Sequence, residues 1–289
     1  MRRREYAVLV APSMIVMFGL LALPLLRTLQ WSFQRVDYGQ PGTWVGLTNY
    51  TSALGDPRFL RAIGFTIGLT AATFVVVVLI AYVLAVLVNQ LGRIRPLVLG
   101  TLLVSYVVPQ VIGATMFGWL FNPSFGGVAN HLLTLVTGED VLWLTEAWPN
   151  RLLLLLSVAW GLIPFAMLVI LAGLQGVPEE MLEAAELDGV STLQLHLKVI
   201  VPTIRGVLGF VSLILIMDVL RVFDQLIPLS PQAVQIGNES AMLYIYNIAF
   251  RDGGQQLGLG SAVNILLIVV IFILLLPFLR GTAKEGARA

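Results

Sequence analysis

The fold is decided by the stretch Phe65–Val88, which reads FTIGLTAATFVVVVLIAYVLAVLV and contains no charged residue. About 20 predominantly apolar residues suffice for an α-helix to cross the roughly 30 Å hydrocarbon core of a bilayer. A helix that is apolar on all sides must be buried in a large core or in lipid. The stretch therefore predicts a membrane-spanning helix.

The composition of the whole chain agrees with this prediction. Of its 289 residues, 58% are hydrophobic and only 11% are charged, whereas about 25% are charged in an ordinary soluble domain. This balance excludes a soluble enzyme, a nucleic-acid binder and a disordered scaffold. The formal net charge of +1 gives no reason to expect a polyanionic partner. Because there is no cysteine, disulfides, thiolate nucleophiles and cysteine metal sites are excluded as well.

Five further stretches have the same character as Phe65–Val88, so we predict an all-α, polytopic membrane protein with six transmembrane helices. The predicted spans are Tyr6–Leu26, Phe65–Val88, Leu97–Phe121, Leu152–Leu174, Ile204–Phe223 and Ala262–Leu279. The first is too long for the apolar region of a signal peptide and is interpreted as an uncleaved anchor. The predicted division is an anchor with the first external loop (1–62), a core with five helices (63–280) and a cytoplasmic tail (281–289).

The distribution of basic residues predicts the orientation. Lys and Arg are more frequent in the loops on the side of the N-terminus, among them the tight turn Arg93–Arg95. Short cytoplasmic loops carry an excess of basic residues, so both termini are expected in the cytoplasm. Segment 176–203 is then the one long cytoplasmic loop.

That loop differs from its surroundings because it holds five carboxylates within ten residues: Glu179, Glu180, Glu183, Glu186 and Asp188. Pro178 suits a first helical position, and Gly189 can end the helix in a left-handed conformation. Ser191 can cap a second helix that runs to Pro202. Glu179, Glu183 and Glu186 share one helical face with Glu180 beside them, and the opposite face carries Val177, Met181, Ala184 and Ala185. The segment is either a solvated connector or a docking element for a soluble partner.

The stretch Glu183-Ala184-Ala185-Glu186-Leu187-Asp188-Gly189, with Pro202 ending the segment, resembles the EAA loop of ATP-binding-cassette (ABC) importer permeases. The resemblance extends over most of the chain to the carbohydrate-uptake, maltose-type branch, for example at Val45–Tyr50 and Ala172–Gln175. It implies a type I importer permease core, of the MetI-like kind. It also implies that the residues coupling to an ATPase are Glu183, Ala184, Ala185, Asp188 and Gly189.

The resemblance implies the partners too. These are a second permease subunit, two copies of a cytoplasmic ATP-binding subunit, an extracytoplasmic sugar-binding protein and a carbohydrate substrate. Membrane lipid surrounds the chain, which sits in a bacterial-type cytoplasmic (inner) membrane, and no nucleic acid is expected. The sequence contains no G-x-x-x-x-G-K-[ST] phosphate cradle, so ATP hydrolysis must occur in a separate subunit. We predict no catalytic residue, no cofactor and no metal site.

Polar residues within the spans are candidates for the substrate path because their burial in lipid is costly. Asp218 and Arg221 are three residues apart; they form either a structural ion pair or the mouth of a substrate cavity. Tyr106, Gln110 and Asn264 suit a polyhydroxylated ligand, and they suit helix packing equally well. Arg221 is the one evident basic group, which favours a neutral sugar over glycerol phosphate.

Other functional classes fit less well. A permease for glycerol phosphate or another small polar solute remains an alternative. An ion-coupled secondary transporter predicts inverted repeats and broken helices, which six unequal spans do not show clearly. A membrane-embedded enzyme would need His, Cys or carboxylates clustered at one membrane face, yet the only acidic cluster lies in segment 176–203.

Overall fold

The computed structural model describes residues 3–286 of the chain, with side chains from residue 9 to residue 276. The described chain is helical almost throughout. In chain order the elements are α1 (Arg3–Met17), a π-helical turn (Phe18–Ala22), α2 (Leu23–Ser32), β1 (Gln34–Arg35), β2 (Thr43–Trp44), α3 (Thr48–Gly55), α4 (Pro57–Asn89), α5 (Arg95–Val107), α6 (Gln110–Phe121), a 3-10 turn (Pro123–Phe125), α7 (Val128–Thr137), α8 (Ala147–Gln175), α9 (Glu179–Leu187), α10 (Thr192–Gln194), a π-helical turn (Leu195–Ile200), α11 (Val201–Thr203), α12 (Arg205–Leu220), α13 (Leu226–Leu229), α14 (Ala233–Ile236), α15 (Ala241–Tyr246), a π-helical turn (Asn247–Arg251) and α16 (Leu257–Gly286). Residues 287–289 of the predicted tail lie outside the described residues.

Six membrane spans are formed by the described chain. Four are single helical stretches long and apolar enough to cross a bilayer: Leu9–Ser32, Pro57–Asn89, Ala147–Gln175 and Leu257–Leu276. The other two are bent pairs: α5 with α6, at 95°, and Thr192–Thr203 with α12, at 76°. Counting each pair as one span gives the all-α, six-span architecture that the sequence predicts.

The third span, predicted over Leu97–Phe121, is interrupted at Pro109. Val108 has φ −67° and ψ 126°, so the chain leaves the helical region just before Pro109 and re-enters it at Gln110. Proline lacks an N–H and disfavours a helical conformation in the residue before it. Both effects act at Val108–Pro109 and divide the span into α5 and α6.

The second span begins eight residues earlier than predicted, at Pro57. Asp56 precedes it and accepts a hydrogen bond from the backbone N–H of Arg58 at 2.8 Å, as an N-cap residue does. Proline suits the first helical position, where its missing N–H has no helical partner to lose. At 1.5 Å per residue, α4 is about 50 Å long and exceeds the bilayer core.

Contacts divide the chain into two compact units, residues up to 60 with 241–270, and residues 61–240 with those from 271 onward. In the first unit, Asn49 donates to the carbonyls of Ser32 (3.0 Å) and Gln34 (2.9 Å), which fixes α3 beside the end of α2 and the strand pair. The hydroxyl of Tyr244 donates to Asp56 at 2.6 Å. The predicted boundaries at 62/63 and 280/281 stay predictions.

The second unit is organised around α8, the most buried of the four straight spans. α8 packs against α5, α6 and α12. Its approach to α12 depends on Gly173, because a Cβ at that position would lie 3.0 Å from a methyl carbon of Val207. Close packing of this kind is tolerated only where one partner lacks a side chain. A smaller apolar cluster joins Ile216 and Leu220 to Leu275.

Candidate functional site

The segment Glu179–Thr203, here called the acidic hairpin, is stopped and restarted by local hydrogen bonds. Gly189 has φ +70°, its N–H donates to the carbonyl of Glu186 at 3.0 Å, and the N–H of Val190 donates to that of Ala185 at 3.4 Å. These two bonds form the Schellman arrangement that ends helices at a left-handed residue. The predicted left-handed conformation of Gly189 is confirmed.

The second arm of the hairpin begins with a capping box. The backbone N–H of Gln194 donates to Ser191 Oγ at 3.4 Å, and the N–H of Ser191 donates to the side chain of Gln194 at 3.1 Å. The predicted cap at Ser191 is therefore present. The helical path continues one residue past Pro202, to Thr203. Both arms thus have ends fixed by the sequence itself, and they pack against each other.

The first arm is exposed on almost every side. Only Ala185 is buried, whereas Ala184 and all five carboxylates are exposed. The predicted face of small residues is therefore divided between the interior and the solvent, because Ala184 and Ala185 are 100° apart around the helix. Leu187, which the sequence argument did not single out, is 90% exposed. An apolar residue between Glu186 and Asp188 is the signal that could have identified it.

Two contacts connect the hairpin to the spans. The Tyr82 hydroxyl on α4 lies 2.8 Å from Nδ1 of His196 in the second arm, and the two rings meet edge to face. Thr203 Oγ1 donates to the sulfur of Met181 at 3.4 Å, which ties the end of the second arm to the first. After Thr203 the chain passes through Ile204 directly into α12. The hairpin is therefore joined to α4 by the Tyr82–His196 contact and to α12 by the chain itself.

A polar cavity of about 200 Å³ lies where the α5–α6 bend faces α8 and α12. Three of the predicted path residues line it: Tyr106, Gln110 and Asp218. Other lining residues that sequence reasoning missed are Ser105, Ser157, Trp160 and Gln225. Arg221 lines an adjoining recess together with Asp218, Gln110 and Gln225. Asn264 is half-buried in α16, in the other compact unit, and does not belong to this set.

Gln225 has the strongest polar signature in the cavity. Its side chain is 6% exposed, and its Nε2 donates to Oε1 of Gln110 at 3.1 Å. Its own Oε1 is buried and has no hydrogen-bond partner within the described part of the chain. An unpaired buried acceptor costs about 1–3 kcal/mol. The cavity therefore holds one acceptor for which a hydroxyl donor of a ligand or a water molecule is the natural partner.

Aromatic rings provide the apolar wall. Tyr106 stacks on Phe165, with ring centroids 5.9 Å apart and an angle of 18° between the planes. Trp160 meets Phe117 edge to face at 5.6 Å. Tyr106 remains more than half exposed, so part of its surface is free to contact a ligand. Aromatic walls with a few polar groups are typical of sites for small molecules.

For Asp218 and Arg221, the structural ion pair and the mouth of a substrate cavity both stay predictions. No salt bridge joins them among the described residues, and both side chains are exposed. α12 ends at Leu220, and Arg221 has φ −102° and ψ 14°. The backbone N–H of Arg221 still donates to the carbonyl of Asp218 at 3.3 Å. Asp218 lines both the cavity and the adjoining recess, and Arg221 lines that recess with it.

A buried asparagine fixes the geometry around the cavity. Asn150 is fully buried; its Nδ2 donates to the carbonyls of Leu229 (2.7 Å) and Trp143 (3.1 Å). Its Oδ1 accepts from Ser230 Oγ (2.8 Å) and from Asn238 Nδ2 (3.0 Å). These four bonds form the Asn150 knot. They attach segment 229–238, which follows Gln225, to the start of α8.

The chain is similar to known proteins in its sequence and in its fold. Residues 78–281 match the family described as "Binding-protein-dependent transport system inner membrane component". The arabinooligosaccharides transport system permease protein AraP of Halalkalibacterium halodurans is 30% identical over 284 residues, 96% of this chain and 88% of that protein. The trehalose transport system permease protein SugA of Mycobacterium tuberculosis is 29% identical over 288 residues, 98% of this chain and 91% of that protein.

Solved structures show the same fold. A chain of a bacterial alginate ABC transporter, crystallised in complex with an alginate pentasaccharide-bound periplasmic protein, superposes with a TM-score of 0.83. The match covers 96% of this chain and 93% of that chain, at 21% identity. At this identity the likeness concerns the fold alone.

Proposed function

The chain belongs to the family of binding-protein-dependent transport system inner membrane components, and on this premise we propose that it is the permease subunit of an ATP-dependent carbohydrate importer. It is a multi-pass membrane protein of a transport family, so it carries solute rather than transforming it. Relatives named for arabinooligosaccharide and trehalose transport support a saccharide as its cargo.

The acidic hairpin is the proposed coupling element to a separate ATPase. Glu183, Ala184, Ala185, Asp188 and Gly189 are its proposed coupling residues. Support comes from the exposure of the first arm, from its fixed ends and from the Tyr82–His196 contact with α4. Leu187 adds an apolar anchor, since a 90% exposed leucine at the end of an acidic helix fits a pocket on a protein partner.

The polar cavity is the proposed sugar path. Its stacked aromatic side chains offer faces for sugar rings, and amide groups offer hydrogen bonds to hydroxyls. The buried Oε1 of Gln225, which lacks a donor, is the observation that carries this assignment. Asp218 and Arg221 stand at its edge as further hydrogen-bonding groups, with Tyr106 and Gln110 inside. Asn264 remains a proposed path residue on the sequence argument alone.

We further propose the assembly and its orientation. The chain pairs with a second permease subunit, two ATP-binding subunits and an extracytoplasmic sugar-binding protein, with both termini in the cytoplasm. ATP hydrolysis in the separate subunits moves the acidic hairpin, and α4 and α12 reorient the cavity between the two sides of the membrane.

Transport by a reconstituted complex tests this proposal. The complex, purified from native membranes with its companions, is placed in liposomes with the binding protein and labelled arabinooligosaccharide, trehalose or glycerol phosphate. We expect uptake of a saccharide only when the ATP-binding subunits have ATP. Uptake by the purified chain alone, driven by a proton or sodium gradient, would overturn the proposal. Uptake of glycerol phosphate in preference to every saccharide would overturn the assignment of the cargo.

A further inference from the structure

An apolar groove of about 600 Å³ runs between α4 and α8, away from the polar cavity. Its lining includes Gly64, Phe65, Gly68 and Leu69 from α4, with Leu152 and Leu155 from α8. A Cβ built on Gly64 or Gly68 would meet no atom within 4 Å. The glycines therefore leave space that no other part of the described chain fills.

The depth of the groove corresponds to one leaflet of a bilayer. On α4 the lining extends from Arg61 to Ala72, which is about 16 Å at 1.5 Å per residue. The whole hydrocarbon core is roughly 30 Å thick. Further along the same face, Val75 and Leu79 replace the small residues, and both are more than half exposed. A spanning helix from another subunit would pack along the whole core, so it would need small residues over a longer stretch of α4. The short row of small residues therefore favours a ligand that is one leaflet deep.

One end of the groove is strongly cationic. Arg61 and Arg151 both line it, and neither forms a salt bridge among the described residues. Arg151 is held in position, because its Nε donates to Asn238 Oδ1 at 2.7 Å and its guanidinium lies 4.8 Å from the centre of the Trp148 ring. Its terminal nitrogens therefore remain available to an anionic ligand, and guanidinium groups match phosphate oxygens in geometry.

We propose that this groove binds one anionic phospholipid, with its phosphate between Arg61 and Arg151 and an acyl chain along the glycine floor. Two unpaired cations at the end of a leaflet-deep apolar groove complement an anionic headgroup attached to a long apolar chain. Basic pockets between transmembrane helices bind such headgroups, and the exposed Trp148 suits the membrane interface. In the orientation proposed above, the lipid belongs to the outer leaflet; binding itself does not depend on that orientation.

Native mass spectrometry of the full-length chain in detergent, titrated with dioleoylphosphatidylglycerol or dioleoylphosphatidylcholine, tests the headgroup site. We expect the wild type to retain one phosphatidylglycerol at least fivefold more strongly than phosphatidylcholine. The double variant Arg61→Gln/Arg151→Gln should lose this preference. Arg27→Gln is the matched control, since Arg27 is an exposed cation that hydrogen-bonds the Gln30 side chain, and its preference should equal that of the wild type.

The variant Gly68→Leu tests the acyl chain separately. It keeps both arginines and fills the floor of the groove, where a new Cβ has room, so the fold should persist while retention of either lipid falls at least fivefold. Full retention by Gly68→Leu would overturn the placement of the acyl chain. An unchanged headgroup preference in the double variant, or an equal loss in Arg27→Gln, would overturn the proposal. So would a photo-crosslinker at position 68 that captures a protein subunit of the native complex instead of lipid.

Discussion

Replacing Asn150 by alanine should destabilise the protein more than most single substitutions. The change removes all four hydrogen bonds of the Asn150 knot at a fully buried position. A typical hydrogen bond contributes about 0.5–1.5 kcal/mol, and a buried partner left unsatisfied costs about 1–3 kcal/mol. Since Asn238 keeps its second bond, to the carbonyl of Ala147, we expect the free energy of unfolding to fall by about 3–5 kcal/mol.

Thermal unfolding of the detergent-purified chain, followed by tryptophan fluorescence, measures the effect. The expected loss corresponds to a fall in Tm on the order of 10 °C. Asn150→Asp keeps the acceptor oxygen for Ser230 and Asn238 but loses both donations to backbone carbonyls, so its Tm should lie between those of the wild type and the alanine variant. Gln40→Ala, at an exposed side chain, is the control for an amide without a buried role.

A Tm for Asn150→Ala within 1 °C of the wild type would refute the reasoning, because the knot would then contribute nothing measurable. The consequence for transport is specific. The Asn150 knot attaches segment 229–238 to α8, and this segment follows Gln225, which lines the polar cavity. Loss of the knot should therefore also weaken binding in the cavity. We expect a higher KM for the saccharide in Asn150→Ala at temperatures where the chain is still folded.

Four further substitutions address coupling and the cavity. Gly189→Val places a β-branched residue at φ +70°, which costs about 1–2 kcal/mol; ATP hydrolysis should persist in liposomes while sugar transported per ATP falls. Leu187→Asp should leave Tm unchanged, because the residue is 90% exposed, yet abolish co-purification of the ATP-binding subunits. Tyr82→Phe removes the hydroxyl bonded to His196; it should cost about 1 kcal/mol of stability and lower the sugar transported per ATP. Gln225→Leu removes the unpaired acceptor and the bond to Gln110; these two effects on stability oppose each other, so Tm should change little, while KM should rise about fivefold, the equivalent of about 1 kcal/mol.

Each of these four has a control or a contrary result. Gly189→Asn should retain coupling, since asparagine tolerates a left-handed backbone. Leu135→Asp changes a leucine on α7 that is also largely exposed, and it should keep the ATP-binding subunits. Unchanged coupling in Tyr82→Phe would mean that the contact with α4 transmits no motion. An unchanged KM in Gln225→Leu would exclude that side chain from the sugar path.

Features governed by local rules were predictable from the sequence. The spans follow from apolar length, and the ends of the two hairpin arms follow from Gly189 and Ser191, whose conformations depend on neighbours within a few residues. The bend at Pro109 was predictable in principle from the same local rules. The angle of 95° between its two halves was not predictable, because it depends on how α5 and α6 pack against α8.

Features governed by tertiary contacts were not predictable from spacing. Gln225 lies in a loop after α12 and reaches the cavity only because the chain returns to α8 there. The spacing of Asp218 and Arg221 does not reveal that α12 ends between them, at Leu220, because helix ends are the least certain feature of a sequence pattern. The contact of Tyr82 with His196 joins residues 114 positions apart, and no periodicity indicates it.

The exposed leucines of the acidic hairpin have a consequence for the life of the protein before assembly. Leu187 lies in α9, outside the spans, and is 90% exposed, and Leu193 and Leu197 in the second arm are at least 60% exposed. Apolar surface of this kind attracts chaperones and degradative proteases when nothing covers it. A copy synthesised in excess of its partner subunits should therefore be degraded, and proteolysis would keep the amounts of the subunits matched.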